Sequence, residues 1–211
     1  MVRVSAAVLA GGASRRMGTD KRRLVIDGQT LLARAVRTAM AVSDDVMVVV
    51  APDRPLEGRL LDGLPGRLVV DRRRAAGPLA GVEAALAAAR HPMVLVLPVD
   101  APGLSPSLLR HLIGRTLSSK NASGRLVAGD APQPLPCVLW RSALPALSQL
   151  LDAGERRLAA IPQAIPMIDM AEADWRAYDP GGAWLANLNR PRDLESRQRT
   201  PREPPRAGGP L

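Results

Sequence analysis

Residues 9–21 read LAGGASRRMGTDK and follow directly on an apolar run, VSAAV at 4–8. A chain that leaves a buried strand through two glycines, two arginines and an Asp-Lys pair is equipped to meet an anion at the strand's carboxyl end. Gly11 and Gly12 lack a Cβ, so the backbone there can turn sharply and bring its N–H groups close to phosphate oxygens. Arg15 and Lys21 add positive charge above those amides. Two common phosphate loops fail on spacing. The Walker A pattern needs four residues between its glycines and Lys straight after the second, whereas Gly12 and Gly18 enclose five and Lys21 comes later. The dinucleotide fingerprint GxGxxG is absent as well.

Outward from this loop, the apolar segments alternate between two kinds. Short β-branched runs at Val46–Val50, Leu68–Val70 and Met93–Leu97 read as strands. Leu31–Val42 reads as a helix with Thr30 as its N-cap, and Pro78–Arg90 as a helix with proline in its first turn. Continuous rather than alternating hydrophobicity in the strands predicts a mostly parallel sheet covered by helices on both faces, a three-layer, doubly wound α/β fold. In such a fold the loop at 9–21 lies on the ligand-binding edge. From Arg125 the rhythm changes: LVAG, QPLPCVLW, a helix from Ser142 to about Ala153, then IPMIDM and WLANLN as candidate short strands. The chain reads as a single domain over 1–194, with a nucleotide-binding half to about 120 and an acceptor half over 121–194. The stretch 195–211, rich in Arg and Pro, reads as a disordered extension.

The chain has 211 residues, enough for a sizeable core, yet aromatics make up only 2% and Phe is absent. Leu, Val, Ile, Met and Ala must therefore fill the interior. The formal net charge of +9 is concentrated at Arg15–Arg23, at Arg67–Arg74 and after Asn189. Basic charge without aromatic stacking platforms argues against single-strand nucleic-acid binding and favours a phosphate-bearing small molecule. Cys137 is the only cysteine, so no intrachain disulfide forms. With no charged-then-apolar leader and no run of membrane-spanning length, the expected location is cytoplasmic, away from any membrane.

The pattern LAGGxSxRMGxDK, with Arg16, Met17, Gly18, Asp20 and Lys21 in register, resembles the signature loop of the molybdenum cofactor guanylyltransferase family. The resemblance continues through GPLAG at 77–81, PVDAPGL at 98–104, QPLP at 133–136 and NLNRPRDL near the C-terminus, and so spans the chain to about Leu194. It implies a nucleotidyltransferase fold, with GTP and molybdopterin cofactor as substrates, and leaves a contact with a molybdoenzyme or cofactor-delivery protein open. It also implies a nucleotide site at Leu9, Ala10, Gly11, Gly12, Lys21, Asp71, Gly77 and Asp100. The related cytidylyltransferases usually show LAAG, and the methyl missing at Gly11 would leave room for a purine. One departure concerns a residue that is often Asn in relatives: here the stretch is Ala51-Pro52-Asp53, so Asp53 either substitutes or the contact is lost.

Asp100 follows the Met93–Leu97 strand and is the expected Mg2+ ligand, since magnesium takes one or two carboxylates plus phosphates and water. Within the implied reaction, Lys21 would stabilise charge on the transferring phosphoryl group and Arg15 would hold the β and γ phosphates. Gln133–Pro136 and Asn187–Asn189 match segments near the acceptor pocket, and Arg156 and Arg157 are candidates for the acceptor's phosphate. His91, His111 and Cys137 lie outside every motif and read as structural. Two alternatives stay open: a relative that uses CTP or another phosphate acceptor, and a non-catalytic nucleotide-binding or docking protein with a basic tail. The loop from Gly12 to Arg23 is expected to be mobile before nucleotide arrives.

Overall fold

The computed structural model describes residues 3–11, 20–56, 63–73 and 76–186. The sheet is built from β1 (Val4–Leu9), β4 (Asp45–Val50), β5 (Arg67–Val70), β6 (Met93–Pro98), β7 (Ser123–Ala128), β8 (Ala131–Trp140) and β9 (Met167–Met170). A separate two-stranded hairpin pairs β2 (Val25–Ile26) with β3 (Gln29–Thr30). The helices are α1 (Leu31–Met40), α2 (Gly77–Ala88), α3 (Pro106–Ser118), α4 (Leu144–Asp152) and two single turns, α5 (Ile161–Ala164) and α6 (Glu172–Trp175).

Strand order in the large sheet is β5-β4-β1-β6-β8-β7-β9. The first four are mutually parallel, β8 runs against both neighbours, and β9 is parallel to β7. The chain winds from β1 out to β4 and β5, then returns to place β6 on the other side of β1. Strand order therefore reverses between β1 and β6, and the crevice outside their carboxyl ends is where such sheets take ligands.

Side chains divide by alternation. On one face Ala6, Val8, Val48, Leu95 and Leu97 pack with Leu32 and Val36 of α1 and Leu108 and Leu112 of α3. On the other Ala7, Met47, Val49, Val94 and Val96 pack with Leu79, Val82 and Leu86 of α2 and Leu147 of α4. Burial on both faces is why these strands read as continuous apolar runs. The expected double cover stops at the edge. Leu68 and Val70 of β5 are about half exposed, at 47% and 50%, so this strand alternates instead.

Two helices start on a side-chain cap, the first of them at Thr30 as expected. Thr30 Oγ1 accepts from Ala33 N–H at 3.1 Å, and Ser105 Oγ accepts from Leu108 N–H at 3.3 Å with Pro106 next in line. IPMIDM supplies β9 as expected. WLANLN does not form a strand over its described part: Ala183–Leu185 is a 3₁₀ turn, because Gly182 turns left-handed at φ 63° and Asp179 caps the Trp184 N–H at 2.9 Å. Residues 187–189, the basic tail, and residues 12–19 of the Gly12–Arg23 loop expected to be mobile lie outside the described residues, while Lys21–Arg23 of that loop form a 3₁₀ turn capped by Asp20.

At the amino-terminal edge, opposite the crevice, Asp45 is 3% exposed and fully partnered. It accepts from Ser5 Oγ at 2.6 Å, from Arg67 Nε at 2.9 Å and from Arg90 N–H at 3.1 Å. Burial alone would raise its pKa. The Arg67, Ser5 and Arg90 bonds outweigh burial and hold it at about 2, below the ordinary 3.8. A depressed carboxylate pKa contributes stability that is complete above 3.8 and is lost as pH falls through about 2. Asp45→Asn is therefore expected to cost about 2–4 kcal/mol in denaturant unfolding at pH 7. The gap from the unaltered protein should narrow as pH drops from about 4 toward 2.

Candidate active site

A cleft of about 540 Å³ opens at the carboxyl ends of β1, β4 and β6, within the usual range of about 300–1,000 Å³ for small-ligand sites. Leu9, Ala10, Gly11, Lys21, Asp71, Gly77 and Asp100, all expected from sequence, line it. Gly12 and Arg15 lie outside the described residues. Leu135 of β8 also lines the cleft, and sequence reasoning did not single it out beyond its QPLP motif.

Lys21 Nζ donates to Asp100 Oδ2 at 2.9 Å, with the two side chains only 16% and 22% exposed. Seventy-nine residues separate them in sequence. Register brings them together: Leu9 of β1 pairs with Pro98 of β6, so the loops leaving both strands emerge side by side. The segment carrying Lys21 is pinned independently. Asp20 caps its 3₁₀ turn by accepting from Arg22 N–H at 3.0 Å, and Arg22 Nε donates to both Asp20 oxygens at 2.9 Å. The Arg22 guanidinium also reaches the Arg54 carbonyl at 3.1 Å, tying this turn to the loop after β4. Burial works against the charged form of Asp20, but Arg22 prevails and its pKa is lowered.

Asp71 sits at the end of β5 and is 5% exposed. Its N–H donates to the Val50 carbonyl at 2.9 Å and its Oδ1 accepts from Arg73 N–H at 2.6 Å, which fixes the carboxylate on the cleft wall. Burial raises its pKa. The Arg73 amide opposes that shift, and the negative Glu83 and Asp53 reinforce it. Asp53 is exposed on the same cleft.

Two glycines in the site are fixed by packing. A Cβ on Gly11 would lie 2.8 Å from the Ala51 backbone nitrogen and 3.3 Å from Ala51 Cβ. The absent methyl is thus required by the neighbouring strand end, a reason that applies whichever base enters the cleft. Gly77 opens α2 at φ 70°, and a Cβ there would meet the Arg156 carbonyl oxygen at 2.9 Å. The same carbonyl accepts from Leu79 N–H at 3.3 Å, where α2 has no capping side chain.

Several arginines, the candidates Arg156 and Arg157 among them, already have partners within the scaffold. Arg67 is bound to Asp45, while Arg73 bridges Glu83 at 2.8 Å and Asp152 at 2.6 Å. Arg156 donates to the Leu151 carbonyl at 3.0 Å and Arg157 pairs with Glu155 at 2.8 Å. Neither Arg156, Arg157 nor Gln133 lines the cleft. His91, His111 and Cys137 do not line the cleft, and His91 lies in the loop before β6 and not in a helix. His91 bonds Asp44 at 2.7 Å, His111 stacks on Tyr178 at 4.1 Å, and burial pushes the Cys137 thiol up to about 12.

Comparison with known proteins finds relatives along most of the chain. The MobA-like NTP transferase domain matches residues 6–166. A probable molybdenum cofactor guanylyltransferase of Chloroflexus aggregans is 38% identical over 202 residues, covering 91% of this chain and 92% of that protein. The molybdenum cofactor guanylyltransferase of Pseudomonas putida KT2440 is 34% identical over 194 residues, covering 90% and 95%. In structure, molybdopterin-guanine dinucleotide biosynthesis protein A from Archaeoglobus fulgidus superposes with a TM-score of 0.80 at 23% identity, covering 91% and 95%. Because the domain match runs from β1 to the residue before β9 and so takes in both walls of the cleft, the chain belongs to the MobA-like NTP transferase family and is a nucleotidyltransferase.

Proposed function

We propose that the enzyme moves GMP from GTP to the terminal phosphate of molybdopterin cofactor, with Mg2+ on Asp100, giving the guanine dinucleotide cofactor and pyrophosphate. The observation that carries this reading is the meeting of Lys21 and Asp100 on one wall of a nucleotide-sized cleft. The names of the relatives support the choice of nucleotide and acceptor. An oxygen of the acceptor phosphate forms the new bond to the α-phosphorus, and the bond from that phosphorus to the pyrophosphate oxygen breaks. No protein nucleophile takes part, so the protein's contribution is position and charge.

Among the described residues no group of three or more His, Cys, Asp or Glu side chains is arranged to hold a metal ion. Magnesium bound with a triphosphate needs only one or two carboxylates. Asp100 fits that requirement, since its carboxylate faces the cleft and already holds one cation, the Lys21 ammonium. Mg2+ there would neutralise phosphate charge. Lys21 supplies a compact positive charge to the same wall, and nucleotide entry would draw its ammonium from carboxylate to phosphate. Arg15, outside the described residues, is assigned the β and γ phosphates. Leu9, Ala10 and Gly11 present backbone to the nucleotide, and Asp71 faces it from the end of β5.

Incubation with Mg2+, GTP and molybdopterin cofactor should yield the dinucleotide product and pyrophosphate, and absence of product would overturn the assignment. Lys21→Ala is expected to lower kcat about 10²–10³-fold in a pyrophosphate-release assay. Asp100→Asn should abolish the response to added Mg2+. GTP should outrun CTP in the same assay. Because Gly11 faces Ala51, Gly11→Ala should weaken binding of both nucleotides together and lower the melting temperature; a switch of preference to CTP would refute the packing reading of this glycine.

A further inference from the structure

Gly103 belongs to the PVDAPGL motif at 98–104, yet it does not line the cleft. It stands three residues after Asp100 in a tight turn closed by Leu104 N–H donating to the Ala101 carbonyl at 3.3 Å. Pro followed by Gly at the centre of such a turn usually signals a left-handed glycine. Gly103 is not in that region of φ, so backbone conformation does not account for it. Close approach does: a Cβ built on Gly103 would overlap the backbone carbonyl of Ala183 and lie 3.1 Å from Ala183 Cβ. No rotamer change relieves a clash with a carbonyl.

The segment that brings Ala183 there is fastened at several points. Trp175 is fully buried and its Nε1 donates to the Val127 carbonyl of β7 at 2.7 Å. Trp184 packs edge-on against Trp175 with centroids 5.5 Å apart, and Tyr178 stacks on His111 of α3 at 4.1 Å. Glu172 accepts from Gly129 N–H at 3.1 Å, and Asp179 caps the turn holding Ala183 through Trp184 N–H at 2.9 Å. Trp175 and Trp184 share one core cluster with Ala101 and Leu104, the residues that begin and end the Gly103 turn. Three of the chain's four Trp and Tyr residues are thus spent on residues 171–186 in a protein otherwise almost devoid of aromatics.

We infer that this C-terminal aromatic clasp is a positioning element for Asp100: by seating Ala183 on Gly103 it fixes the turn that follows the carboxylate, and Gly103, Asp179 and Trp184 act on the reaction through Asp100. The inference rests on the reading of Asp100 as the Mg2+ ligand. Groups that orient a metal's ligand typically change metal affinity about 10–100-fold when altered. A scaffold defect without such a role would weaken nucleotide binding equally with and without metal.

The test measures the dissociation constant for GTP by calorimetry, in excess Mg2+ and in EDTA, for the unaltered protein, Gly103→Ala and Asp179→Ala, with melting temperatures alongside. The unaltered protein should bind more tightly with Mg2+. If it does not, Asp100 as metal ligand fails and the inference fails with it. Given that increment, Gly103→Ala should lose about 10–100-fold of it while its affinity in EDTA stays within about threefold. Asp179→Ala, which leaves the turn's own residues untouched, should lose part of the increment in the same way, and it decides the matter if Gly103→Ala does not fold. An increment kept in full, or equal losses in Mg2+ and EDTA, overturns the positioning role while leaving the proposed reaction standing.

Discussion

The contact between Lys21 and Asp100 depends on parallel pairing of β1 with β6, and most features of the cleft follow from what that pairing demands. Two strands far apart in sequence must lie side by side with helices above and below. The interior residues of β1 are therefore small, with Ala6 on one face and Ala7 on the other, both fully buried. The opposite charges then meet at the point where strand order reverses, partly shielded from water, where a charge interaction is stronger than on an open surface. The Asp20–Arg22–Arg54 linkage keeps the Lys21 turn against the sheet and thereby keeps the ammonium within reach of Asp100.

In and behind the cleft wall, backbone meets backbone at three glycines. Gly11 faces the Ala51 nitrogen, Gly77 the Arg156 carbonyl and Gly103 the Ala183 carbonyl, and each contact joins segments remote in sequence. Such contacts transmit position with little play, because no side chain stands between the two chains to rotate out of the way. They also give the three glycine motifs a common physical reason. Only Gly77 adds the conformational reason of a left-handed φ.

Much of this was legible in advance because strands buried on both faces leave continuous apolar runs, which is how β4 and β6 were found. Lys21, Asp71, Asp100 and Gly77 line the cleft, and motif position relative to a strand end carries that much information. The α3 helix was not singled out, although Ser105-Pro106 and leucines at 108, 109 and 112 mark it. The clasp was illegible for a different reason. Its residues make contacts with Val127, His111 and Gly103 that no local pattern encodes, and Ala183 meets Gly103 chiefly through a carbonyl, which every residue possesses. Arg156 and Arg157 show a related limit of sequence: charge is visible there, but the carboxylate or carbonyl that already bonds it is not.

That last point bears on the metal. A net charge of +9 suggests a strongly cationic site, yet Arg67, Arg73, Arg125 and Arg176 are all committed to carboxylates of the scaffold. The described residues lining the cleft include Asp20, Asp53, Asp71 and Asp100 against Lys21, Arg22 and Arg54, and Arg22 is already paired with Asp20. A triphosphate entering among these groups therefore finds no surplus positive charge from them. On the proposed reading, a divalent cation carried in with the phosphates would supply neutralisation that these groups do not. An acidic wall suits a metal–nucleotide complex better than bare nucleotide, since carboxylates repel free phosphate but share a cation with it.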